Sequence, residues 1–200
     1  MMNRRTLLAA LPALALARPA LADPLPLSAL SAYLNSLVRV KADFTQINAD
    51  GTISTGTLLI HRPGRARFEY NPPNEALVLA GGGQVAIFDK KSNQMPEQYP
   101  LRRTPLNLIL ARNVNLEQAN MVVDYRSDET STTVVAQDPE NPDYGSIELV
   151  FTGPPAELRQ WVITSGDGTQ TTVILGALEP QGNIPTRMFS ITSEIEERQG

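Results

Sequence analysis

Few side chains in this sequence could take part in acid–base, nucleophilic or metal chemistry. The chain contains a single histidine, His61, and no cysteine, so a zinc site with about three or four converging ligands is not expected. Asp138, Glu140 and Asp143 could bind calcium weakly, but their spacing is not that of an EF-hand and is more typical of a solvated loop. No nucleophile elbow, phosphate-binding loop or dinucleotide fingerprint is present. The sequence therefore predicts no enzyme, no catalytic residue, no metal site and no cofactor.

One charged residue stands out because it ends an apolar stripe. The alternation over residues 65–70 is typical of a half-buried strand, with Ala66, Phe68 and Tyr70 on one face. The same two-residue period in the preceding strand puts Leu58, Ile60 and Arg62 on one side. Arg62 is therefore either a solvated arginine at a strand end, beside Pro63, or a buried donor at the rim of an apolar surface.

The elements that would position these residues are mostly strands. Leucines at spacings of three and four predict a helix over residues 27–38, made by Leu27, Leu30, Leu34 and Leu37. Alternating apolar residues between turn signals predict strands over 41–48, 52–61, 65–70, 75–80, 84–89, 121–126, 130–137, 145–151, 157–164, 170–177 and 188–195. Residues 94–100 contain two prolines, which favours an edge strand or a loop.

A second, short helix is predicted to follow residue 104. Thr104 is the expected N-cap and Pro105 the first helical residue, with Leu106, Ile109 and Leu110 on one face. A helix of about two turns is marginal alone in water, so it should dock against an apolar surface. Ten or eleven short strands and two or three helices indicate a mainly β (α+β) protein with a large antiparallel sheet that curls or closes.

The N-terminus has the pattern of an export signal. Residues 1–22 combine Arg4 and Arg5, an apolar stretch over 6–16 and a small-residue cleavage site ending at Ala22, for either the Sec or the twin-arginine route. Cleavage would leave residues 23–200 as one domain, with fourteen basic and twenty-one acidic residues and a net charge of −7. That charge argues against a nucleic-acid partner. Without cysteine, the exported chain can form neither a disulfide nor a thioether-linked lipid anchor.

Five stretches, in order along nearly the whole mature chain, resemble a known family. They are residues 42–46 (Ala-Asp-Phe-Thr-Gln), 56–63 (Gly-Thr-Leu-Leu-Ile-His-Arg-Pro), 68–73 (Phe-Glu-Tyr-Asn-Pro-Pro), 104–111 (Thr-Pro-Leu-Asn-Leu-Ile-Leu-Ala) and 157–161 (Glu-Leu-Arg-Gln-Trp). In this ordered set the chain is similar to the LolA family of periplasmic outer-membrane lipoprotein carriers. It departs at residues 81–88, where three glycines and Gln-Val-Ala-Ile-Phe replace an Asp-Gly turn and an aromatic-rich strand. A thinner aromatic lining is expected there.

The resemblance implies a fold and a role. The fold would be a curled antiparallel sheet, an incomplete β-barrel of about 11 strands, with helices covering its apolar concave face as a lid. The role would be that of a monomeric periplasmic chaperone that carries acylated lipoproteins from an inner-membrane ABC-type release complex to an acceptor in the outer membrane, or to that membrane directly. The alternative is a sensing or regulatory domain on a similar half-barrel, which reads stray lipoproteins.

The resemblance also assigns residues to roles. The family's matching arginine holds the lid closed through backbone carbonyls, which makes Arg62 the expected lid lock. The expected cavity lining is Phe44, Leu58, Ile60, Phe68, Tyr70 and Trp161, and the expected lid contacts are Leu106, Ile109 and Leu110. The alternative for each apolar residue is an ordinary core position, because a two-residue period cannot distinguish a filled barrel from an open one. His61 is expected to face away from the cavity.

Overall fold

The computed structural model describes residues 24–89, 95–118 and 121–199, and the expected export signal lies outside these residues. Its centre is one antiparallel sheet of twelve strands. The strands are β1 (Arg39–Ile47), β2 (Ile53–His61), β3 (Ala66–Tyr70), β4 (Leu77–Gly81), β5 (Gln84–Phe88), β6 (Glu97–Pro100), β7 (Val122–Ser127), β8 (Ser131–Gln137), β9 (Ser146–Thr152), β10 (Glu157–Thr164), β11 (Gln170–Leu175) and β12 (Glu179–Pro180).

The strand order makes the sheet an open curl. From one edge of the sheet to the other, the strands lie in the order β6-β5-β4-β3-β2-β1-β11-β10-β9-β8-β7. The short strand β12 adds two residues beside β1. Strands β6 and β7 are the two edges, and within the described ranges they do not pair with each other. The prediction of an unclosed, mainly antiparallel sheet of about 11 strands is confirmed.

Alternation along the strands defines an inner and an outer face. In β1, Val40, Ala42 and Phe44 are buried, whereas the residues between them are exposed. Phe44 lies opposite Gly56 of β2, where a Cβ atom would come within 2.7 Å of the phenyl ring. Glycine at position 56 therefore leaves room for the Phe44 side chain to lie across β2 on the inner face.

Two helices fill the inside of the curl. Helix α1 (Leu27–Ser36) ends two residues earlier than expected and buries Leu30 and Leu34. Helix α2 (Leu106–Leu110) buries its two terminal leucines and Ile109, and both helices belong to one apolar cluster with the inner face of the sheet. The expected N-cap is wrong, because the Thr104 hydroxyl donates to the Leu101 carbonyl (2.8 Å) and Pro105 precedes α2 without a side-chain cap.

The strand expected over residues 188–195 is also wrong. This stretch forms a 3-10 helix (Thr186–Phe189) followed by helix α3 (Ile191–Gln199). A helix is favoured here because Ile191 and Ile195 are four residues apart and so lie on one helical face. The residues around Ile195 are mostly glutamate and arginine, which have high helix propensity. The Ser190 hydroxyl also accepts a hydrogen bond from the Ser193 N–H (3.1 Å) at the start of α3.

This C-terminal segment covers an apolar patch on the outer face of β4 and β5. Its two isoleucines pack on a cluster formed by Leu77, Leu79, Ala86 and Phe88. Arg67 of β3 anchors the segment, since its guanidinium donates to the Met188 carbonyl (3.0 Å) and to the Glu194 carboxylate (3.2 Å). Arg198 stacks over Phe88, with 4.9 Å from the guanidinium carbon to the ring centroid.

We expect Arg67→Ala to destabilise the fold without affecting the inner face. The guanidinium is largely buried, so its removal leaves the Met188 carbonyl without this donor and leaves the Glu194 carboxylate with Arg198 as its remaining partner. The free energy of unfolding should fall by about 1–3 kcal/mol, measured by urea denaturation. Glu69→Ala is the control, because that exposed partner of Arg67 should be worth no more than about 1 kcal/mol. Equal effects of the two variants would contradict the anchoring role of Arg67.

None of the helices in the described part of the chain is both long and apolar enough to cross a membrane.

Candidate functional site

A row of aromatic rings crosses the inner face of the sheet. Phe44 contacts Phe68 and Tyr70 edge to face, with ring centroids 5.6 and 5.1 Å apart. Phe68 in turn contacts Trp161 of β10, at 6.3 Å. The four aromatic residues of the expected cavity lining, which come from three separate strands, thus lie in contact with one another. Edge-to-face pairs of this kind stabilise a fixed arrangement of the rings.

Beside this row lies a cavity of about 530 Å³. Its apolar walls come from β3, β4, β5, β10, β11 and α2, and include Phe68, Tyr70, Val78, Val85, Leu106, Trp161 and Val173. Exposed polar residues form its rim, among them Arg103, Asp143 and Ser165. The volume lies within the range of about 300–1,000 Å³ that is usual for small-ligand sites. The arrangement suits an apolar ligand with a polar end.

The remaining expected residues lie elsewhere on the inner face. Phe44, Leu58 and Leu110 are buried in the core and do not border this cavity. Ile60 and Ile109 border a separate void of about 10 Å³, which they share with Arg62 and Trp161. The apolar residues that the sequence predicted as cavity lining are therefore divided, in this structure, between the cavity wall and the packed core.

Tyr70 places a polar group at the cavity wall without leaving it unpaired. Its hydroxyl donates to the Gln46 side-chain carbonyl over 2.6 Å. Burial raises the pKa of Tyr70 to about 12, and the hydrogen bond to Gln46 offsets part of that rise. The phenol therefore remains neutral at physiological pH, as an apolar cavity requires.

Arg62 is buried, with 7% of its surface exposed, and connects both inner helices to the end of β2. Its Nη1 donates to the Leu34 carbonyl near the end of α1. Nε and Nη2 donate to the Ala111 carbonyl, which follows α2, over 3.1 and 2.5 Å. Nη2 also donates to the Asn35 side chain over 3.0 Å. Cations are favoured at helix C-termini, where carbonyl groups lack intrahelical partners.

Burial lowers the pKa of Arg62 from its ordinary value, through loss of solvation. The guanidinium nevertheless remains a cation at neutral pH, because arginine keeps its proton under all ordinary conditions in proteins. A buried charge is tolerated only when it is hydrogen-bonded, and the acceptors on the two helices meet that need. Moving the helices away from Arg62 would therefore cost free energy.

Two polar residues of α1 belong to this arrangement, and sequence reasoning missed them. The Asn35 side chain donates to the Val114 carbonyl (2.8 Å) and accepts from the Val114 N–H (2.9 Å), in addition to its bond with Arg62. The Ser31 hydroxyl accepts from the Leu116 N–H (3.0 Å). The detectable signal was their spacing, since Leu27, Ser31 and Asn35 are four residues apart on the apolar side of the helix.

Main-chain hydrogen bonds reinforce the connection at residues 62–64. The Arg62 N–H donates to the Val38 carbonyl, and the Gly64 N–H donates to the Leu110 carbonyl, both over 2.8 Å. The turn after β2 is thus bound to the residues that follow α1 and to the last residue of α2.

The titratable groups outside this arrangement include His61 and, in the described part of the chain, they do not form a metal-binding cluster. His61 lies on the outer face, where its Nε2 accepts from Arg39 (3.3 Å) and its ring contacts Phe189 at 5.8 Å. Burial, together with the nearby Arg65 and Arg39, lowers the pKa of His61. Within the described ranges, no three His, Cys, Asp or Glu residues are placed to hold a metal ion.

Comparison with known proteins supports the resemblance seen in the sequence. The sequence model of the outer membrane lipoprotein carrier protein LolA matches residues 35–192, which is most of the chain. The chain belongs to the LolA family. The matched region contains Arg62, the aromatic row and α2, and of α1 it contains only Asn35 and Ser36.

Individual relatives share the fold region at modest identity. The outer-membrane lipoprotein carrier protein of Chromohalobacter salexigens is 28% identical over 178 residues, covering 84% of this chain and 82% of its own. That of Nitrosomonas europaea is 23% identical, with coverages of 84% and 88%. Among solved structures, a LolA superfamily protein from N. europaea covers 83% of this chain and 98% of its own, at 10% identity and a TM-score of 0.44.

Within residues 81–88, this LolA-family chain contributes no aromatic side chain to the cavity wall. The walls that β4 and β5 contribute to the cavity are Val78 and Val85, whereas the rings come from β3, from β10 and from Tyr144 before β9. Toward the β6 edge, the aromatic row accordingly extends no further than Phe68 and Tyr70 of β3, and the cavity wall on that side is aliphatic.

Proposed function

We propose that this protein is a periplasmic chaperone that binds the acyl chains of lipoproteins and carries them to the outer membrane. It would receive cargo from an inner-membrane ABC-type release complex and pass it to an outer-membrane acceptor or to the membrane itself. The observation that carries the proposal is the buried Arg62, which binds α1 and α2 through helix-end acceptors beside an apolar cavity to whose wall α2 contributes Leu106. A carrier acting in this way needs no catalytic group.

The physical problem for such a carrier is release. Burying an acyl chain is worth about 0.8 kcal/mol per methylene, so a chain of about fifteen methylenes represents on the order of 12 kcal/mol of gross driving force. Several fully buried chains would exceed the useful limit of about 20 kcal/mol. Opening must therefore cost free energy, so that net binding stays reversible.

The Arg62 contacts can supply that cost. In the structure, the guanidinium is paired with Leu34, Asn35 and Ala111. Cargo that displaces α2 breaks the pairing to Ala111, and the pairing re-forms when the cargo leaves. The closed state and the acyl chains thus compete for the same inner surface, which lowers net affinity without removing any apolar contact.

The expected location and organisation agree with this role. Residues 1–22 have the composition of an export signal with cleavage after Ala22, and residues 23–200 would then act as a single monomeric domain in the periplasm. A chain without cysteine depends on no disulfide in that oxidising compartment.

The proposal is tested by recovering the cargo. The tagged, exported protein is purified from the periplasm of a Gram-negative host, and bound proteins are identified by mass spectrometry of their acylated N-terminal peptides. We expect acylated lipoproteins to co-purify with the wild-type chain and to be depleted with Leu106→Glu, which places a carboxylate in the cavity wall. Recovery of no acylated protein, while a known LolA-family carrier retains its cargo in parallel, would refute the proposal.

A further inference from the structure

Trp161 carries a polar atom that the closed structure leaves without a partner. The side chain is 1% exposed, and its indole Nε1 finds no hydrogen-bond acceptor in the described part of the chain. An unpaired buried N–H is unfavourable, and native proteins contain few of them. Phenylalanine would fill most of the same space without this atom, so the unpaired donor points to an acceptor that comes from outside the chain.

The position of the ring narrows what that acceptor can be. Trp161 borders both the cavity of about 530 Å³ and the void of about 10 Å³ beneath Arg62. The void is no larger than one water requires, about 10–15 Å³. Its other walls are aliphatic side chains and the Arg62 guanidinium, whose donors are already directed to helix acceptors. The Trp161 ring, which carries the unpaired N–H, therefore lies between the two spaces.

An acyl chain offers an acceptor only at the end where it joins its head group. The hydrocarbon has none, but the ester that links the chain to glycerol has a carbonyl oxygen. We propose, on the basis of the proposed function, that Trp161 donates its indole N–H to an ester carbonyl of the acylated glycerol when α2 moves and the void opens. Trp161 is then a recognition residue for the acyl linkage, in addition to being part of the apolar wall.

This assignment also orients the cargo. An ester at Trp161 places the glycerol on the Arg62 side of the ring, beneath α1 and α2. The hydrocarbon then extends into the larger cavity, along Phe68, Val173 and Val85. Such an orientation places the linkage beside the two polar groups that border the void, the Trp161 indole and the Arg62 guanidinium, and the hydrocarbon along apolar walls.

The test compares two synthetic lipopeptides that differ only in the linkage. One carries a diacylglyceryl group with ester bonds, and the other carries the dialkyl ether with chains of the same length, which lacks both carbonyls. Dissociation constants are measured for the full mature protein, for Trp161→Phe and for Phe68→Leu. Phe68 borders the same cavity but has no polar atom, so its variant controls for lost packing.

We expect the wild-type protein to bind the ester roughly five- to tenfold more tightly than the ether, the range of one buried neutral hydrogen bond. Trp161→Phe should weaken both ligands through lost packing and bring the ratio close to one, whereas Phe68→Leu should keep the wild-type ratio. A wild-type ratio near one, or a ratio unchanged by Trp161→Phe, would overturn the assignment to Trp161 while leaving the carrier role intact. Failure to bind either lipopeptide would overturn the carrier role as well.

Discussion

Replacing Arg62 with leucine is expected to let cargo enter but to slow its onward transfer by roughly tenfold or more. The leucine keeps apolar bulk and removes every donor, so the carbonyls of Leu34 and Ala111 lose their partner in the closed state. Hydrogen bonds to a charged group are worth about 1.5–3 kcal/mol each, and the loss should shift the equilibrium between closed and open forms by roughly a hundredfold or more. Cargo release is less favourable in this variant, because the closed form that re-forms after release is less stable and offsets less of the cost of dissociation.

The measurement is the transfer of a labelled acylated lipoprotein from loaded carrier to outer-membrane vesicles, separated by flotation. Arg159→Leu is the matched control, because Arg159 is an exposed strand arginine that pairs with Glu157 on the surface. Loading and transfer by this control should equal those of the wild-type chain. Normal transfer by Arg62→Leu would show that Arg62 has only a structural role at the end of β2.

Replacing Leu106 with glutamate is expected to reduce acyl-chain binding by roughly a hundredfold or more, because an unpaired carboxylate in an apolar wall costs several kcal/mol. Leu106 is buried at the start of α2 and borders the cavity directly. The strands do not depend on this side chain, so far-ultraviolet circular dichroism should keep its β signature. Ile109→Glu should act in the same direction through the void that Ile109 shares with Arg62.

Binding is measured by titration with a fluorescent acyl lipopeptide. Asn107→Glu is the matched control, since it adds the same charge one position along α2, on a half-exposed residue near the helix N-terminus, where a negative charge is tolerated. Its affinity should remain within about twofold of wild type. Unchanged uptake by Leu106→Glu would remove α2 from the binding surface, and equal losses in both glutamate variants would indicate a general effect of charge on this helix.

Much of the fold follows from local patterns in the sequence. Alternation of apolar residues and turn signals located the strands from β1 to β11, because a strand with one buried face must alternate. The pattern failed over residues 188–195, where two isoleucines at helical spacing and several glutamates competed with a weak alternation. Intrinsic helix preference decided that segment, and its apolar side is covered by the outer face of β4 and β5.

The candidate site was only partly predictable, for physical reasons. Arg62 could be singled out because a charge at the end of an apolar stripe conflicts with burial. For Asn35, the four-residue spacing indicates only the side of α1 on which it lies, since its partner Val114 is seventy-nine residues away and leaves no local pattern. The unpaired Trp161 N–H is likewise invisible in sequence, because satisfaction of a donor depends on all of its neighbours. The lipid-contacting roles of the nine apolar residues assigned from the resemblance stay predictions.

The lack of pairing between the edge strands β6 and β7 affects how far the sheet can widen. The circumference of a closed barrel is fixed by its strand number and shear, and such a barrel can widen only if the hydrogen bonds between two neighbouring strands break. In the described ranges, no β-ladder joins the edge strands β6 and β7, and helices pack against the inner face of the sheet. The circumference of the sheet can therefore change while every β-ladder stays intact, and in the proposed role this would let the protein accept cargo with different numbers and lengths of hydrocarbon chains.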